Sequence, residues 1–286
     1  MVMKKDTSTY TLLFQCRDTK GIVARISNYI FSRNANIISL DQHSTDPSGG
    51  DFFMRVEFFS EEEGLTKASL ETDFVRIAEE FDARFDLHES STPLRMGIMV
   101  SRPDHCLSDL LYLWRAGELK ASIAFVAANC DSHRRLCAEY GIPFHFIPST
   151  KDDRREEEFL SLAKGSTDFL VLARYMLVLS REFLSSYGKD IINIHHGFLP
   201  SFKGANPYCQ AFEKGVKVIG ATAHFVTEAL DDGPIITQAV QEVSHKDTLS
   251  DLLRKGKNLE KKALREALQS YTDHRVIKYR DKTIVF

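Results

Sequence analysis

Residues 191–208 read IINIHHGFLPSFKGANPY. The isoleucines at 191, 192 and 194 mark a buried strand, and a strand places successive side chains on opposite faces. Over 189–195 that period sets Asn193 and His195 on one face and Ile194 on the other. Gly197, Pro200, Gly204 and Pro207 then break the chain. A strand that ends in an amide and two imidazoles before turning away fits a parallel α/β sheet, where ligands sit outside the carboxyl ends of the strands.

The flanking sequence has the matching rhythm. Strand-like runs at 95–100, 122–128, 143–147, 167–172 and 217–226 alternate with helical stretches. In one of these, Leu107, Leu110, Leu111 and Trp114 share a face. The alternation predicts a Rossmann-like, mainly parallel α/β sheet with helices on both faces. Residues 247–270 read as a long helix, and VIKYRDKTIVF closes the chain as a short hairpin.

Residues 8–88 follow another order. YTLLFQC is a strand, and GIVARISNYIF carries Ile22, Ile26 and Ile30 on one helical face. NIISLDQHST and DFFMRVEFFS are strands joined by the turn-rich DPSGG. Leu70, Phe74, Ile77 and Phe81 recur at helical spacing before the alternating ARFDLHES. This βαββαβ order is the ferredoxin-like pattern. The polar ESSTPLR marks a boundary near 89–94, giving domains over 1–90 and 91–286.

The 286 residues are 43% hydrophobic and include 20 Phe, enough for two cores. A formal net charge of -3 argues against a nucleic-acid binder, which presents a basic face. No apolar run approaches the roughly 20 residues that span a bilayer, so we expect no membrane partner and a cytoplasmic protein. Five cysteines, at 16, 106, 130, 137 and 209, include no C-x-x-C pair and point to reduced thiols.

The strand end suits acyl chemistry. An Asn side chain is an uncharged donor for an oxyanion, and a nearby imidazole moves protons near neutral pH. EALDDGPII, residues 228–236, offers a carboxylate from a neighbouring loop, Asp231 or Asp232, to pair with His195. Ordinary packing histidines and an ordinary turn are the plain alternative. A zinc site from His195, His196 and His224 is disfavoured, because successive strand residues face opposite ways.

NIHHGFLPSFKGANPY together with GVKVIGATAHFVTEALDDGPIITQ resembles the formyltransferase family that uses 10-formyltetrahydrofolate. Across nearly its whole length the chain resembles the deformylase branch of that family. That branch hydrolyses 10-formyltetrahydrofolate to formate and tetrahydrofolate and carries an N-terminal ACT domain. RDTKGIVARIS looks like the ACT first loop and helix, and LARYMLVLS like the folate-side loop. The resemblance implies a catalytic trio of Asn193, His195 and Asp231, supported by Thr222 and His224. It places Leu177, Leu179, Glu228 and Leu230 in loops that line the pterin pocket. It implies no metal or redox cofactor, with the folate as substrate and product. Cys209 and Gly197 depart from the pattern, where His and Ser are expected.

The same trio serves enzymes that pass the formyl group to an amine such as glycinamide ribonucleotide. Those hold the nucleotide phosphate on a glycine-rich turn after the first strand. Here MVSRPDHCLSDLL, residues 99–111, has no glycine, and Pro103 removes an N–H, although Arg102 remains as an anion holder. An amino-acid-sensing, folate-binding protein without turnover is a further alternative. Within residues 8–88, Asp18 and Gly21 flank a free helix N-terminus that could receive an effector carboxylate. Glycine or methionine is the expected effector, and a homo-oligomer the expected assembly.

Overall fold

The computed structural model describes residues 8–46, 48–62, 64–202, 204 and 206–286. They group into two compact units. One takes the chain up to Pro93 with His274–Ile277 and Ile284–Phe286, and the other takes Leu94–Asp273 and Lys278–Thr283.

The first unit runs β1 (Ser8–Arg17), α1 (Ile22–Ser32), β2 (Ala35–Ser44), β3 (Asp51–Ser60), α2 (Lys67–Glu80) and β4 (Arg84–Glu89). Its sheet has the order β2-β3-β1-β4, with every pairing antiparallel. This is the ferredoxin-like arrangement that the βαββαβ order predicts. Ile22, Ile26 and Ile30 of α1 and Leu70, Phe74 and Ile77 of α2 are all buried and pack on the sheet. Thr66 caps α2 by accepting from Ser69 N, while the Ser69 hydroxyl accepts from Thr66 N, a reciprocal cap that satisfies two end donors.

The second unit begins with β5 (Leu94–Val100), α3 (His105–Arg115), β6 (Ala121–Ala128), α4 (Arg134–Tyr140) and β7 (Phe144–Phe146). It continues with α5 (Glu156–Ala163), β8 (Phe169–Leu172), α6 (Arg181–Tyr187), β9 (Ile191–His195) and α7 (Pro207–Glu213). It continues with β10 (Val218–Phe225), β11 (Ile235–Glu242) and α8 (Leu249–Thr272), after which β12 (Val276–Tyr279) and β13 (Lys282–Val285) are each divided between the two units. The sheet order is β11-β10-β9-β8-β5-β6-β7. The five strands from β9 to β7 are parallel, and β10 runs antiparallel to both its neighbours.

From β5 the chain builds outward through β6 to β7, then returns to β5's other side as β8. That reversal is a topological switch point, where the loops after the strands part and leave a crevice. Asn193 and His195 sit on β9, next to β8, at this end of the sheet. The long helix α8 buries Leu252, Leu259, Ala263, Leu264 and Leu268, at steps of seven, four, one and four that keep them on one face. Each fully buried leucine contributes roughly 1.5–3 kcal/mol, which fixes the helix to β10 and β11 beneath the site. The final strands β12 and β13 pair as the expected hairpin.

Candidate active site

Pairing with β10 organises the end of β9. In this antiparallel register Thr222 lies opposite His195 and His224 opposite Asn193. The Nδ1–H of His224 donates to the Phe225 carbonyl at 2.9 Å. Its Nε2 is then a lone pair, 3.2 Å from Asn193 Nδ2. The Asn193 amide therefore donates to His224, which settles which way the amide points and leaves its second N–H for a ligand. Burial, above all, holds the His224 imidazole below its usual pKa, against the opposing pull of the Phe225 carbonyl and Asp231.

Thr222 is fully buried and ties down the turn that follows His195. Its hydroxyl donates to the Gly197 carbonyl at 2.9 Å and accepts from Leu199 N at 3.1 Å. Gln238 Nε2 donates to the same hydroxyl at 3.1 Å and to the Leu199 carbonyl at 2.8 Å.

Of the two aspartates after β10, Asp231 is the one that reaches the imidazole. Its Oδ2 lies 3.3 Å from His195 Nδ1 and accepts from Gly204 N at 3.4 Å. Its Oδ1 lies 4.0 Å from His224 Nε2, whereas Asp232 is exposed. Burial resists ionisation of Asp231, but the His195 contact, the Gly204 N–H and His224 outweigh it and hold the carboxyl below its usual range. Asp231 adopts a left-handed backbone, φ 52°, a conformation costly for a non-glycine residue and concentrated at functional sites. Gly233 lets the loop close, because a Cβ there would sit 1.8 Å from the Phe225 carbonyl oxygen.

The other nitrogen of His195, Nε2, lies 3.2 Å from the Phe202 carbonyl. A neutral imidazole carries one N–H, so both of these contacts are made together only by the protonated ring. Gly197 makes the room: a Cβ there would come within 2.8 Å of His195 Nε2. That is what the departure from serine does in this chain.

These groups open onto a cavity of about 320 Å³. Leu177, Leu179, Glu228 and Leu230 all line it, on the two loops that follow β8 and β10. Glu228 pairs with Arg181 at 3.0 Å across the exposed rim. The structure thus brings together every residue assigned to the site in this unit.

It also adds residues that sequence reasoning missed. Arg174, another left-handed residue at φ 63°, lines the same cavity, beside His196, which the sequence reading weighed only as a disfavoured zinc ligand. Behind them Glu260 of α8 is 2% exposed and accepts from His105 Nε2 at 2.7 Å. Burial opposes the Glu260 charge, but His105 and Arg174 hold its carboxyl below the usual range. Arg174 Nε is 3.3 Å from Glu260 Oε2, off the line of a hydrogen bond. Nε, Nη1 and the Tyr208 hydroxyl are buried without a hydrogen-bond partner among the described residues. A buried Glu on an amphipathic helix was the available signal, hidden among that helix's many charges. His105, Cys106 and Glu260 are also the group of metal-type donors found among the described residues. Arg174 already supplies the positive charge there, so a cation is not needed to balance Glu260. His195, His196 and His224 do not form such a group.

The loop after β5 is not an anion cradle of the expected transferase kind. The residue before α3 is the exposed, acidic Asp104, which makes no side-chain cap hydrogen bond and puts a negative charge near that helix start. Ser101 binds the loop after β8 instead, accepting from Met176 N at 3.0 Å. In the first unit, Gly21 precedes α1 with φ 95° and no side-chain cap. The Asp18 carboxylate accepts from the Ser44 hydroxyl, and Asp18 N donates to the Gly50 carbonyl at 2.8 Å.

A formyl transferase family model matches residues 94–268, and an ACT domain model matches residues 10–72. Fold and site thus define an ACT-linked protein of the formyl transferase class. A formyltetrahydrofolate deformylase of Synechocystis sp. is 43% identical over 281 residues, covering 97% of this chain and 98% of that one. The crystal structure of a formyltetrahydrofolate deformylase from Pseudomonas syringae pv. tomato superposes with a TM-score of 0.94 at 39% identity. That match covers 99% of this chain and 96% of the other. Glycinamide ribonucleotide transformylase 1 from Symbiobacterium toebii matches less completely. Its TM-score is 0.64 at 27% identity, covering 68% of this chain and 94% of that one. The chain belongs to the formyltetrahydrofolate deformylase family.

Proposed function

We propose that this chain hydrolyses 10-formyltetrahydrofolate to formate and tetrahydrofolate. The observation that carries the reading is the joined unit of Asn193, His195 and Asp231, held by His224 and Thr222 at the floor of a cavity between two folate-side loops. Water adds to the formyl carbon, and negative charge grows on the formyl oxygen. The free N–H of Asn193 donates to that oxygen. Removing one such donor costs about 3–4 kcal/mol of barrier. His195, oriented and charge-balanced by Asp231, donates to the same oxygen and then to the departing nitrogen. Leu177, Leu179, Glu228 and Leu230 flank the pterin. The folate is substrate and product, and these steps call on no resident metal or redox cofactor.

Among the described residues no helix is long and apolar enough to cross a membrane. We place the enzyme in the cytoplasm as a homo-oligomer, where it releases formate for purine synthesis and balances the one-carbon folate pool. The ACT domain takes glycine or methionine at Asp18 and Gly21, ligands that report on one-carbon supply. A rate that does not respond to either amino acid, with no binding by calorimetry, leaves that domain a structural role. The decisive experiment incubates the purified protein with 10-formyltetrahydrofolate and no amine acceptor. Stoichiometric formate is the expected result, and turnover only after addition of glycinamide ribonucleotide would replace hydrolysis by transfer.

A further inference from the structure

The pair His195–His196 presents two imidazoles, and the steps above use one. Both nitrogens of His195 face acceptors, Asp231 and the Phe202 carbonyl. The Asp231 carboxylate is already engaged by His195 and Gly204. His195 has no lone pair to offer an incoming water while both contacts stand, and Asp231 has only Oδ1, 4.0 Å from His224 Nε2, left to offer one. His196 lines the same cavity, and its ring makes no hydrogen bond among the described residues.

We propose that His196 is the water-side base of this site: it orients the attacking water and takes its proton. The assignment rests on the deformylase reading and completes it. The ring is held in place. Its centroid is 5.3 Å from that of His195 and 6.2 Å, edge-on, from that of Tyr208. Tyr208 is fixed in turn by Gly256 of α8, where a Cβ would come within 2.3 Å of the phenol ring. The charges facing His196 are Arg174, Glu260, His195 and Asp231. Burial first, and then Arg174, bring its pKa down to about 4. The imidazole is therefore neutral at physiological pH and offers a lone pair. Two adjacent imidazoles thereby take opposite parts, a donor at the formyl oxygen and an acceptor at the water.

The protons balance as follows. The water oxygen bonds to the formyl carbon and one water proton passes to His196. The bond from carbon to N10 breaks, and N10 takes a proton from His195. The acid proton of the nascent formic acid returns to His195, and the proton on His196 leaves to solvent. The products are formate, tetrahydrofolate and one proton.

A choice of nucleophile tests this. Hydroxylamine attacks as a neutral amine and has little need of a base, whereas water needs one. In His196→Ala, hydrolysis should fall about a hundredfold or more, the scale of general-base catalysis. Formohydroxamate production from 10-formyltetrahydrofolate and hydroxylamine should stay within about threefold of the native rate, and added imidazole should restore part of the hydrolysis. Equal losses with both nucleophiles, or unimpaired hydrolysis, would overturn the proposal. If the Ala variant does not bind tetrahydrofolate, His196→Gln is read in the same way. The native protein's formate release without an acceptor tests the deformylase reading separately.

Discussion

Replacing Thr222 by Val keeps the shape of a fully buried side chain and removes its hydroxyl. Three contacts go: the donation to Gly197 O at 2.9 Å and the acceptances from Leu199 N and Gln238 Nε2, both at 3.1 Å. Gln238 keeps the Leu199 carbonyl as a partner. The Gly197 carbonyl and the Leu199 N–H do not keep theirs. A buried polar group left without a partner costs about 1–3 kcal/mol, so two cost about 2–6. The new methyl returns roughly 0.8 kcal/mol of apolar burial. We expect a net loss near 3 kcal/mol. Trp114, the single tryptophan, lies in α3 and reports on this unit, so urea unfolding followed by its fluorescence measures the loss. Because the same turn carries the chain away from His195, kcat should also fall at least tenfold. Tetrahydrofolate binding should hold within threefold, since Thr222 does not line the cavity. Thr222→Ser, which keeps the hydroxyl, should lose less than about 1 kcal/mol. A loss below 0.5 kcal/mol in Thr222→Val would refute the account of the turn.

Asp231→Asn should lower kcat at least a hundredfold with little change in folate binding, because the His195 contact matters mainly in the transition state. Asp232→Asn should be nearly silent, and the reverse outcome in steady-state kinetics would shift the catalytic carboxylate by one residue. His196 and His224 both have folded pKa values below that of the unfolded chain, chiefly through burial. As pH falls from about 6.5 toward 4, the unfolded state takes up protons that the folded state refuses, so stability falls. Urea midpoints at pH 7 and pH 5 measure this, and His196→Gln should make the fall shallower. In Gly197→Ser the new Cβ displaces His195 Nε2 from the Phe202 carbonyl and frees its N–H for the formyl oxygen. Breaking a competing hydrogen bond of about 0.5–1.5 kcal/mol should raise kcat by roughly twofold to tenfold, and a fall in kcat would show that the Phe202 contact holds the ring productively.

The architecture was legible because its two periods differ. The spacing of Ile22, Ile26 and Ile30 against the alternating strands of residues 8–88 specifies the βαββαβ unit, and the structure has it. The alternation after residue 94 specifies the mainly parallel sheet. Asn193 and His195 were legible as strand-end polar residues that hydrophobic burial cannot explain. The choice of Asp231 over Asp232 came from the family resemblance and not from local pattern, because physically it depends on a left-handed backbone at Asp231 and on Gly233 closing against Phe225. Local sequence permits either aspartate, and only the packed loop selects one. Glu260 and Arg174 were invisible for a related reason. Each is separated by many residues from its partner, and a charge on a helix or loop reads as solvated until the fold buries it.

The way these residues divide between elements bears on how one fold serves two reactions. Asn193, His195, Thr222 and His224 lie on one antiparallel strand pair, whose ladder hydrogen bonds set their spacing to within a side-chain rotamer. That pair stabilises charge on a formyl oxygen whatever the attacking group, so it cannot choose between water and an amine. The choice falls to groups outside it. Outside it this chain carries Asp104 as the residue before α3 and the His105–Glu260–Arg174 cluster behind His196. Asp104, His105 and Arg174 sit on loops or at a helix start, which vary more readily than a buried ladder, whereas Glu260 lies in the middle of α8. The transformylase at 27% identity superposes over 68% of this chain. On this argument, substitutions at Glu260 or Arg174 alter the balance between hydroxylamine and water as nucleophile, whereas substitutions at Asn193 lower both rates together.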